Sequence, residues 1–150
     1  MDVDGVLTDG RIVYGEDGSE YKQFDAHDGY GITRAVGKGL RFIIVTARSS
    51  KATARRAREL GVTEVHQGIK DKGLVVRQVR KRYGLRNEEL CYIGDDELDA
   101  PVLEAVGLSA APKDAMPDLR RRVDYIASAG GGRGAVREVV DLILKAQKLI

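Results

Sequence analysis

Two carboxylates, Asp2 and Asp4, stand two residues apart in Asp2-Val3-Asp4-Gly5 at the start of the sequence. Just past a strand, such a pair lets one side chain face a ligand while the other reaches over from the turn. Close carboxylates repel each other, and a cation joining them removes that cost. Asp95, Asp96 and Asp99 add three more acids far downstream. So many acids in one crevice fit a hard cation bound by oxygen, most naturally Mg²⁺. An EF-hand does not fit, because Gly5 comes too early and Val6-Leu7 fill ligand positions. Taken singly, each acid has a plainer use: a surface turn for Asp2 and Asp4, a helix cap for Asp96.

Cations complete the set. Lys70 and Lys72 fall where a helix is expected to begin. A cation there opposes the helix dipole unless an anion shares the place. One of the two is expected to be exposed, and the residues alone do not say which. Thr46 closes an apolar run, a position that serves equally well to cap the next turn. Arg48 and Arg56 are about two helical turns apart, so both can point to a similar side of an expected helix. They either grip an acidic substrate or form a basic solvent face. Gly130-Gly131-Gly132-Arg133-Gly134 precedes the last helix. Its backbone NH groups either hold an anion or belong to a flexible connection. It lacks the Lys-Ser/Thr ending of a P-loop. His27 and His66 have no metal-ligand spacing, so no zinc site is expected, and no Ser-His-Asp or Cys-His arrangement is visible.

Two periodicities position these groups. Short β-rich runs occur at Phe42–Val45, Glu64–His66, Cys91–Ile93, Leu108–Ala111 and Tyr125–Ala127. Helical spacing covers Gly29–Val36, Ser49–Leu60, Lys70–Tyr83, Leu98–Val106, Met116–Arg121 and Ala135–Ala146. Gly61, Gly84 and Gly107 follow three of these where a helix-stopping glycine belongs. Strand and helix in turn predict an α/β fold: a Rossmann-like parallel sheet sandwiched by helices. Asp2, Thr46, the lysines and Asp95 then gather beyond the carboxyl ends of the strands, where such sheets bind ligands. Arg11–Tyr14 and Glu20–Phe24 flank an Asp17-Gly18 turn and predict a protruding β-hairpin over about residues 11–24, with Tyr14, Tyr21 and Phe24 packing it. A strand needs about five residues, yet only Met1 precedes Asp2. Either the upstream strand is absent here, or Met1 is an internal methionine of a longer chain.

The 150 residues fit one compact domain, 1–150. A net charge of +2 gives no case for nucleic acid. Cys91 is the only cysteine, so no intrachain disulfide forms. No apolar run reaches the ~18 residues of a membrane span, and no signal peptide is visible. A soluble cytoplasmic protein is expected.

The ordered motifs carry a resemblance. Asp2-Val3-Asp4-Gly5-Val6-Leu7-Thr8-Asp9-Gly10, Thr46, a downstream lysine, and Gly94-Asp95-Asp96 with Asp99 resemble the four motifs of haloacid dehalogenase-type phosphatases. The likeness is closer to the 3-deoxy-D-manno-octulosonate 8-phosphate (KDO 8-phosphate) phosphatases. It is carried by Asp28-Gly29-Tyr30-Gly31-Ile32, Thr46-Ala47-Arg48, Gln67-Gly68 before Lys72, Tyr92-Ile93-Gly94-Asp95-Asp96, and Gly131-Gly132-Arg133-Gly134-Ala135-Val136-Arg137-Glu138.

The resemblance implies that Asp2 attacks phosphorus and that Asp4 protonates the leaving oxygen and then activates water. It implies Mg²⁺ on Asp2, the Asp4 carbonyl and Asp95, with Asp96 or Asp99 supporting. It selects Lys72, with Thr46, for the phosphate oxygens. It places Asp25, Ala26, His27, Asp28, Gly29, Arg48, Arg56, Lys72 and Arg133 against the substrate, a small phosphorylated sugar acid. It also implies no cap domain and a homotetramer joined through the hairpin. Asp25, His27, Thr33 and Ala47 depart from residues common in that family. Two other readings remain: a phosphatase of nine-carbon sialic-type 9-phosphates, whose members tend to carry Glu where Arg48 stands, and a non-catalytic phospho-acceptor resembling a receiver.

Overall fold

The alternation of short strands and helices is realised in the computed structural model, which describes residues 1–150. The strands are β1 (Val13–Tyr14), β2 (Glu20–Tyr21), β3 (Ile43–Val45), β4 (Glu64–His66), β5 (Cys91–Ile93), β6 (Leu108–Ala111) and β7 (Tyr125–Ile126). The helices are α1 (Ala26–Gly37), α2 (Lys51–Glu59), α3 (Lys72–Tyr83), α4 (Ala100–Leu103), α5 (Pro117–Arg120) and α6 (Ala135–Ala146). β3 pairs with β4, β5 with β6 and β6 with β7, all in parallel. Met1 and Asp2 join the two groups. The Met1 amino group donates to the Ile43 carbonyl at 3.0 Å. Val45 N donates to the Met1 carbonyl and Asp2 N to the Ile93 carbonyl, each at 3.0 Å. The spatial order is therefore β4, β3, Met1–Asp2, β5, β6, β7.

Both faces of this sheet are covered, which is why its strands are apolar at successive positions. Ile32 and Ala35 of α1, Ala57 of α2, and Val136, Val139, Val140 and Leu144 of α6 pack with Val3, Val6 and Ile44 in one cluster. Ala100, Val102 and Leu103 of α4 and Leu119 of α5 pack with Tyr92 and Ala111 in a second, which Val76 of α3 joins. Each fully buried aliphatic side chain contributes roughly 1.5–3 kcal/mol. Met1, Val3 and Val6 lie within the larger cluster, so the loop carrying Asp2 and Asp4 is anchored on both sides of each acid.

Several boundaries differ from the sequence reading, each for a local reason. α1 starts at Ala26 because Asp25 caps it, accepting from His27 N at 2.6 Å and Asp28 N at 3.1 Å. α2 starts only at Lys51, after Ser50, so Arg48 lies outside the helix that holds Arg56. The expected Leu98–Val106 helix shrinks to four residues. A 3₁₀ turn over Glu97–Asp99 precedes it, and Pro101 fits only its first turn. Gly61 and Gly84 end α2 and α3 with positive φ, but Gly107 instead lies against Glu88, whose Cα a Cβ would approach to 2.4 Å.

β1 and β2 form the expected antiparallel hairpin, pairing Val13 with Tyr21 and Tyr14 with Glu20. It is only two residues long on each side. Tyr14 and Tyr21 do not pack it: they are 64% and 57% exposed, and only Phe24 reaches the core. No cap domain stands over the sheet.

Candidate active site

The Asp2–Gly10 loop is wound tightly against the end of the sheet. The Val3 carbonyl accepts from Val6 N, Leu7 N and Thr8 N at 3.2, 2.8 and 3.1 Å. Gly5 has φ of +82°, and a Cβ there would fall 2.0 Å from Asp95 Oδ2. A side chain at position 5 would therefore push apart the two loops that bring the acids together.

Lys72 is the hub of the acid cluster. Its side chain is 1% exposed. Its Nζ donates to Asp2 Oδ2 at 2.5 Å and to Asp99 Oδ1 at 2.7 Å. Burial works to lower the lysine pKa, but Asp99 and Asp2 outweigh it and the ammonium is retained. Burial raises the Asp2 carboxyl, the Asp99 charge raises it further, and Lys72 pulls it back. Lys70 is exposed. Of the two lysines left open by the sequence, Lys72 is the one brought to the acids.

Asp99 is saturated. Its Oδ1 accepts from Lys72 and from Tyr92 Oη at 2.8 Å, and its Oδ2 from Asp95 N at 3.1 Å and Asp96 N at 3.4 Å. It thus orients Lys72 and the Gly94-Asp95-Asp96 turn. The carboxylate oxygens of Asp2, Asp95 and Asp99 lie within 4.8 Å of one another. Because the lone pairs of Asp99 are already used, Asp2 and Asp95 are the acids with capacity left for a cation. That all-oxygen donor set fits a hard divalent ion. Burial, then the charges of Asp99 and Asp2, push the Asp95 carboxyl up to about 7. Asp96 is different: it is exposed, and its Oδ1 caps the following turn through Glu97 N at 2.7 Å. The cap reading applies there.

Thr46 is buried where β3 ends, beside Met1–Asp2. Its NH and carbonyl are held by the His66 carbonyl at 2.9 Å and Ile69 N at 3.0 Å. Its hydroxyl oxygen accepts from Arg48 N at 3.4 Å, which leaves the hydroxyl proton to donate elsewhere.

Asp4 faces the hairpin rather than Asp2. Its Oδ1 meets the ammonium of Lys22, which also pairs with Glu20 Oε1 at 3.2 Å. Arg48 is held by Glu20 Oε2 and by Tyr14 Oη at 3.3 Å, and its Nε stands 3.9 Å from Asp4 Oδ2. Arg56 lies elsewhere, donating to the Asp25 carbonyl and to Glu59, each at 3.4 Å. The two arginines share no partner, because Arg48 sits before the helix and not on its face. Gly29 lies against Arg56, whose Nη2 a Cβ there would meet at 2.1 Å. Ala26 and His27 are exposed, and Asp25 is half-buried as the α1 cap.

Asp28 is buried and engaged by backbone donors. It is 1% exposed, and its oxygens accept from Gly134 N at 3.2 Å and Arg137 N at 2.7 Å, tying α1 to the start of α6. Burial raises its pKa, and those backbone donors work against the rise. The glycine run is likewise committed. Gly131 N donates to Asp114, Gly132 N to the Val6 carbonyl, Arg133 N to the Gly130 carbonyl and Gly134 N to Asp28. Neither anion cradle nor loose connection, it is packing: a Cβ on Gly131 would come within 1.9 Å of the Gly5 carbonyl. Arg133 is exposed and reaches Asp9 at 3.7 Å.

Sequence reasoning missed Tyr92, Lys22 and Glu20. A tyrosine inside a buried strand needs a partner for its hydroxyl, which pointed to an acid nearby. Glu20 and Lys22 are two apart on an extended segment and so share a face. An apolar cavity of about 570 Å³, lined by Ile43, Cys91, Val140 and Leu149 among others, lies at the opposite ends of the strands. It holds none of the aspartates of the site.

A parallel sheet with Asp2, Asp4 and Asp95 past its carboxyl edge and a buried lysine between the acids defines a class. The profile of the haloacid dehalogenase-like hydrolases matches residues 62–134. The 3-deoxy-D-manno-octulosonate 8-phosphate phosphatase of Escherichia coli is 45% identical over 147 residues, covering 98% of this chain and 78% of the relative. The crystal structure of the enzyme of that name from Yersinia pestis superposes with a TM-score of 0.96 at 44% identity, over 98% of this chain and 80% of that one. The Moraxella catarrhalis phosphatase, solved with magnesium, phosphate and KDO, gives 0.96 at 40% identity, over 99% and 85%. The chain belongs to the haloacid dehalogenase-like hydrolases, in the group of its KDO 8-phosphate phosphatase relatives. On that membership it is a phosphoric monoester hydrolase.

Proposed function

We propose that the chain, acting as one domain over residues 1–150, hydrolyses KDO 8-phosphate to the free sugar acid and phosphate. The carrying observation is the meeting of Asp2, Asp95 and Lys72 at one edge of the sheet. A carboxylate of Asp2 attacks phosphorus, the bond from phosphorus to the sugar oxygen breaks, and Asp4 gives that oxygen its proton. Asp4 then takes a proton from water, which attacks the aspartyl-phosphate and frees Asp2. The Thr46 hydroxyl and the Lys72 ammonium bind the phosphoryl oxygens and spread their charge. Asp2, the Asp4 carbonyl and Asp95 would hold Mg²⁺, which would supply charge neutralisation between the two anions.

Arg48, at the mouth beside Asp4, is the cation best placed for the sugar carboxylate, and it favours the eight-carbon substrate. Arg56, with Ala26, His27 and Gly29, lines the adjoining loop, and Arg133 flanks the other side through Asp9. Ile12, Val13, Tyr14 and Tyr21 expose an apolar hairpin surface suited to joining copies in a homotetramer. No helix is long and apolar enough to cross a membrane. The reaction is read as a cytoplasmic step towards lipopolysaccharide.

Phosphate release from a sugar-phosphate panel with Mg²⁺ tests the reading. The greatest kcat/KM is expected on KDO 8-phosphate; greater kcat/KM on a nine-carbon 9-phosphate moves the assignment to that sugar. Lack of turnover with a stable phosphoprotein indicates a receiver-like acceptor instead.

Metal affinity should depend on pH. With its pKa at about 7, Asp95 keeps in the metal-free fold a proton that the unfolded chain sheds near 3.8. The fold binds more protons than the unfolded chain between those values, so metal-free stability falls as pH rises across them. Bound Mg²⁺ needs that proton gone. Titration calorimetry should show affinity rising up to about tenfold per unit to about pH 7 and then levelling. A constant affinity between about pH 5.5 and about pH 8 would contradict a shifted Asp95 as ligand.

A further inference from the structure

We propose that Lys22, delivered by the hairpin, is a positioning residue for Asp4, fixing one carboxylate oxygen so that the other is the one that exchanges protons. The proposal rests on the assignment of Asp4 to proton transfer.

The two oxygens of Asp4 have unlike surroundings. Oδ1 is paired with the Lys22 ammonium and lies 3.5 Å from the Thr8 hydroxyl. Oδ2 is screened from water and has no hydrogen-bond partner. Its charged neighbour is Arg48, through Nε at 3.9 Å, and that Nε is also without a hydrogen-bond partner. The Lys22 side chain is 2% exposed. A lysine this buried persists only with its charge matched, and Asp4 and Glu20 supply the match. Glu20 in turn holds Arg48 through its other oxygen. The sequence Asp4–Lys22–Glu20–Arg48 is thus a closed row of alternating charges.

Its chemistry follows from the lysine donors. An ammonium on Oδ1 stops the carboxyl from turning about its last bond, because the turn would break a charge-assisted contact in a buried place. The unpaired lone pairs then stay on Oδ2, which is covered until Arg48 turns to the sugar carboxylate and lets the sugar oxygen, and then water, reach it. Proton transfer requires its donor within about 3 Å of the sugar oxygen and correctly directed. A carboxyl that rotates freely meets that condition in only part of its orientations. Lys22 cannot contact the substrate itself, being enclosed between Asp4 and Glu20. It acts through Asp4.

The test is steady-state kinetics of Lys22→Met, Lys22→Arg and the Asp4→Asn/Lys22→Met double variant. Both KDO 8-phosphate and p-nitrophenyl phosphate serve as substrates, so the cycle does not depend on which sugar is natural. Lys22→Met is expected to lower kcat by about 30-fold or more, with KM within about threefold. Lys22→Arg is expected to recover most of the loss, since a cation returns. In the Asp4→Asn background the lysine change should add less than about threefold, because a residue acting only through Asp4 has nothing left to position. Should Lys22→Met not fold, Lys22→Gln carries the same expectation with an amide donor in place of the charge.

The proposal is overturned by a kcat unchanged in a folded Lys22→Met or Lys22→Gln, by a rise in KM alone, or by multiplicative losses in the double variant. Failure of the wild type on KDO 8-phosphate with turnover of p-nitrophenyl phosphate removes only the sugar assignment, and the cycle still reads out.

Discussion

Asp2→Asn is expected to abolish phosphate release, by about 10⁴-fold or more in kcat, while leaving the fold in place. The amide has nearly the shape of the carboxylate but no charge with which to attack phosphorus. Its carbonyl oxygen can still accept from Val3 N, the bond that Asp2 Oδ1 now makes at 2.6 Å. The cost falls on Lys72, which loses one of two carboxylate partners but keeps Asp99. Against that cost, the asparagine removes a buried charge that burial and Asp99 already disfavour. The opposed changes should leave the melting temperature of the metal-free variant close to that of the parent. Phosphate release and melting by circular dichroism check both halves. A folded variant that keeps more than about one per cent of kcat would exclude Asp2 as the nucleophile.

The second large effect is on Lys72. Replacing it with Met leaves Asp2 and Asp99 facing each other at side-chain exposures of 11% and 0%. Removing one partner from a buried ion pair costs about 3–5 kcal/mol, and this lysine serves two. Part of the cost returns when a carboxyl takes up a proton. A fall in melting temperature of about 10 °C without metal is expected for a chain of this size. The kcat should drop by about 10³-fold, as when a donor to the developing charge is lost. Added Mg²⁺ should raise the melting temperature of the variant more than that of the parent, since the carboxylates lack their cation. Lys70→Met is the control: that side chain is exposed, and its loss should change stability by less than about 0.5 kcal/mol. Equal behaviour of the two variants would remove Lys72 from the centre of the site.

The two lysines also mark how far the sequence could be read. They are two residues apart, and both sit near the start of a helix, so charge and spacing treat them alike. Their difference comes from the direction of the α3 axis. Asp71 caps that helix through Leu74 N at 2.8 Å, and the following residue then points inward beneath the sheet edge. Direction in space is a property of packing, and no local pattern encodes it.

Other parts were legible because their physics is local. β4, β5 and β6 and the helix α6 fall on their expected residues, since apolar runs and 3.6-residue periodicity need only neighbours in sequence. The parallel sheet followed from alternation, and the placing of acids at strand ends from the sheet. Where the reading failed, a distant partner had decided. Asp28 and the glycines from 131 to 134 look like ligand-binding groups in isolation. The protein uses them to dock α6 on α1 and on the Asp2–Gly10 loop. Arg48 and Arg56 match a helical spacing, yet the helix begins after Arg48, whose guanidinium goes to Glu20.

By itself, the order of residues determined the strand–helix alternation, the acids that had to gather past the strands, and the need for a cation among them. These are consequences of periodicity and of like charges that cannot be close unaided. Spacing and charge left open which members of each set meet; the resemblance pointed to Lys72 and Asp95, and the tertiary structure brings in Lys72 and not Lys70, Asp95 and not Asp96, and alone sets Lys22 from the hairpin against Asp4. Those choices depend on contacts between segments tens of residues apart, where a few ångströms in the approach of two loops separates a buried ion pair from a solvated side chain.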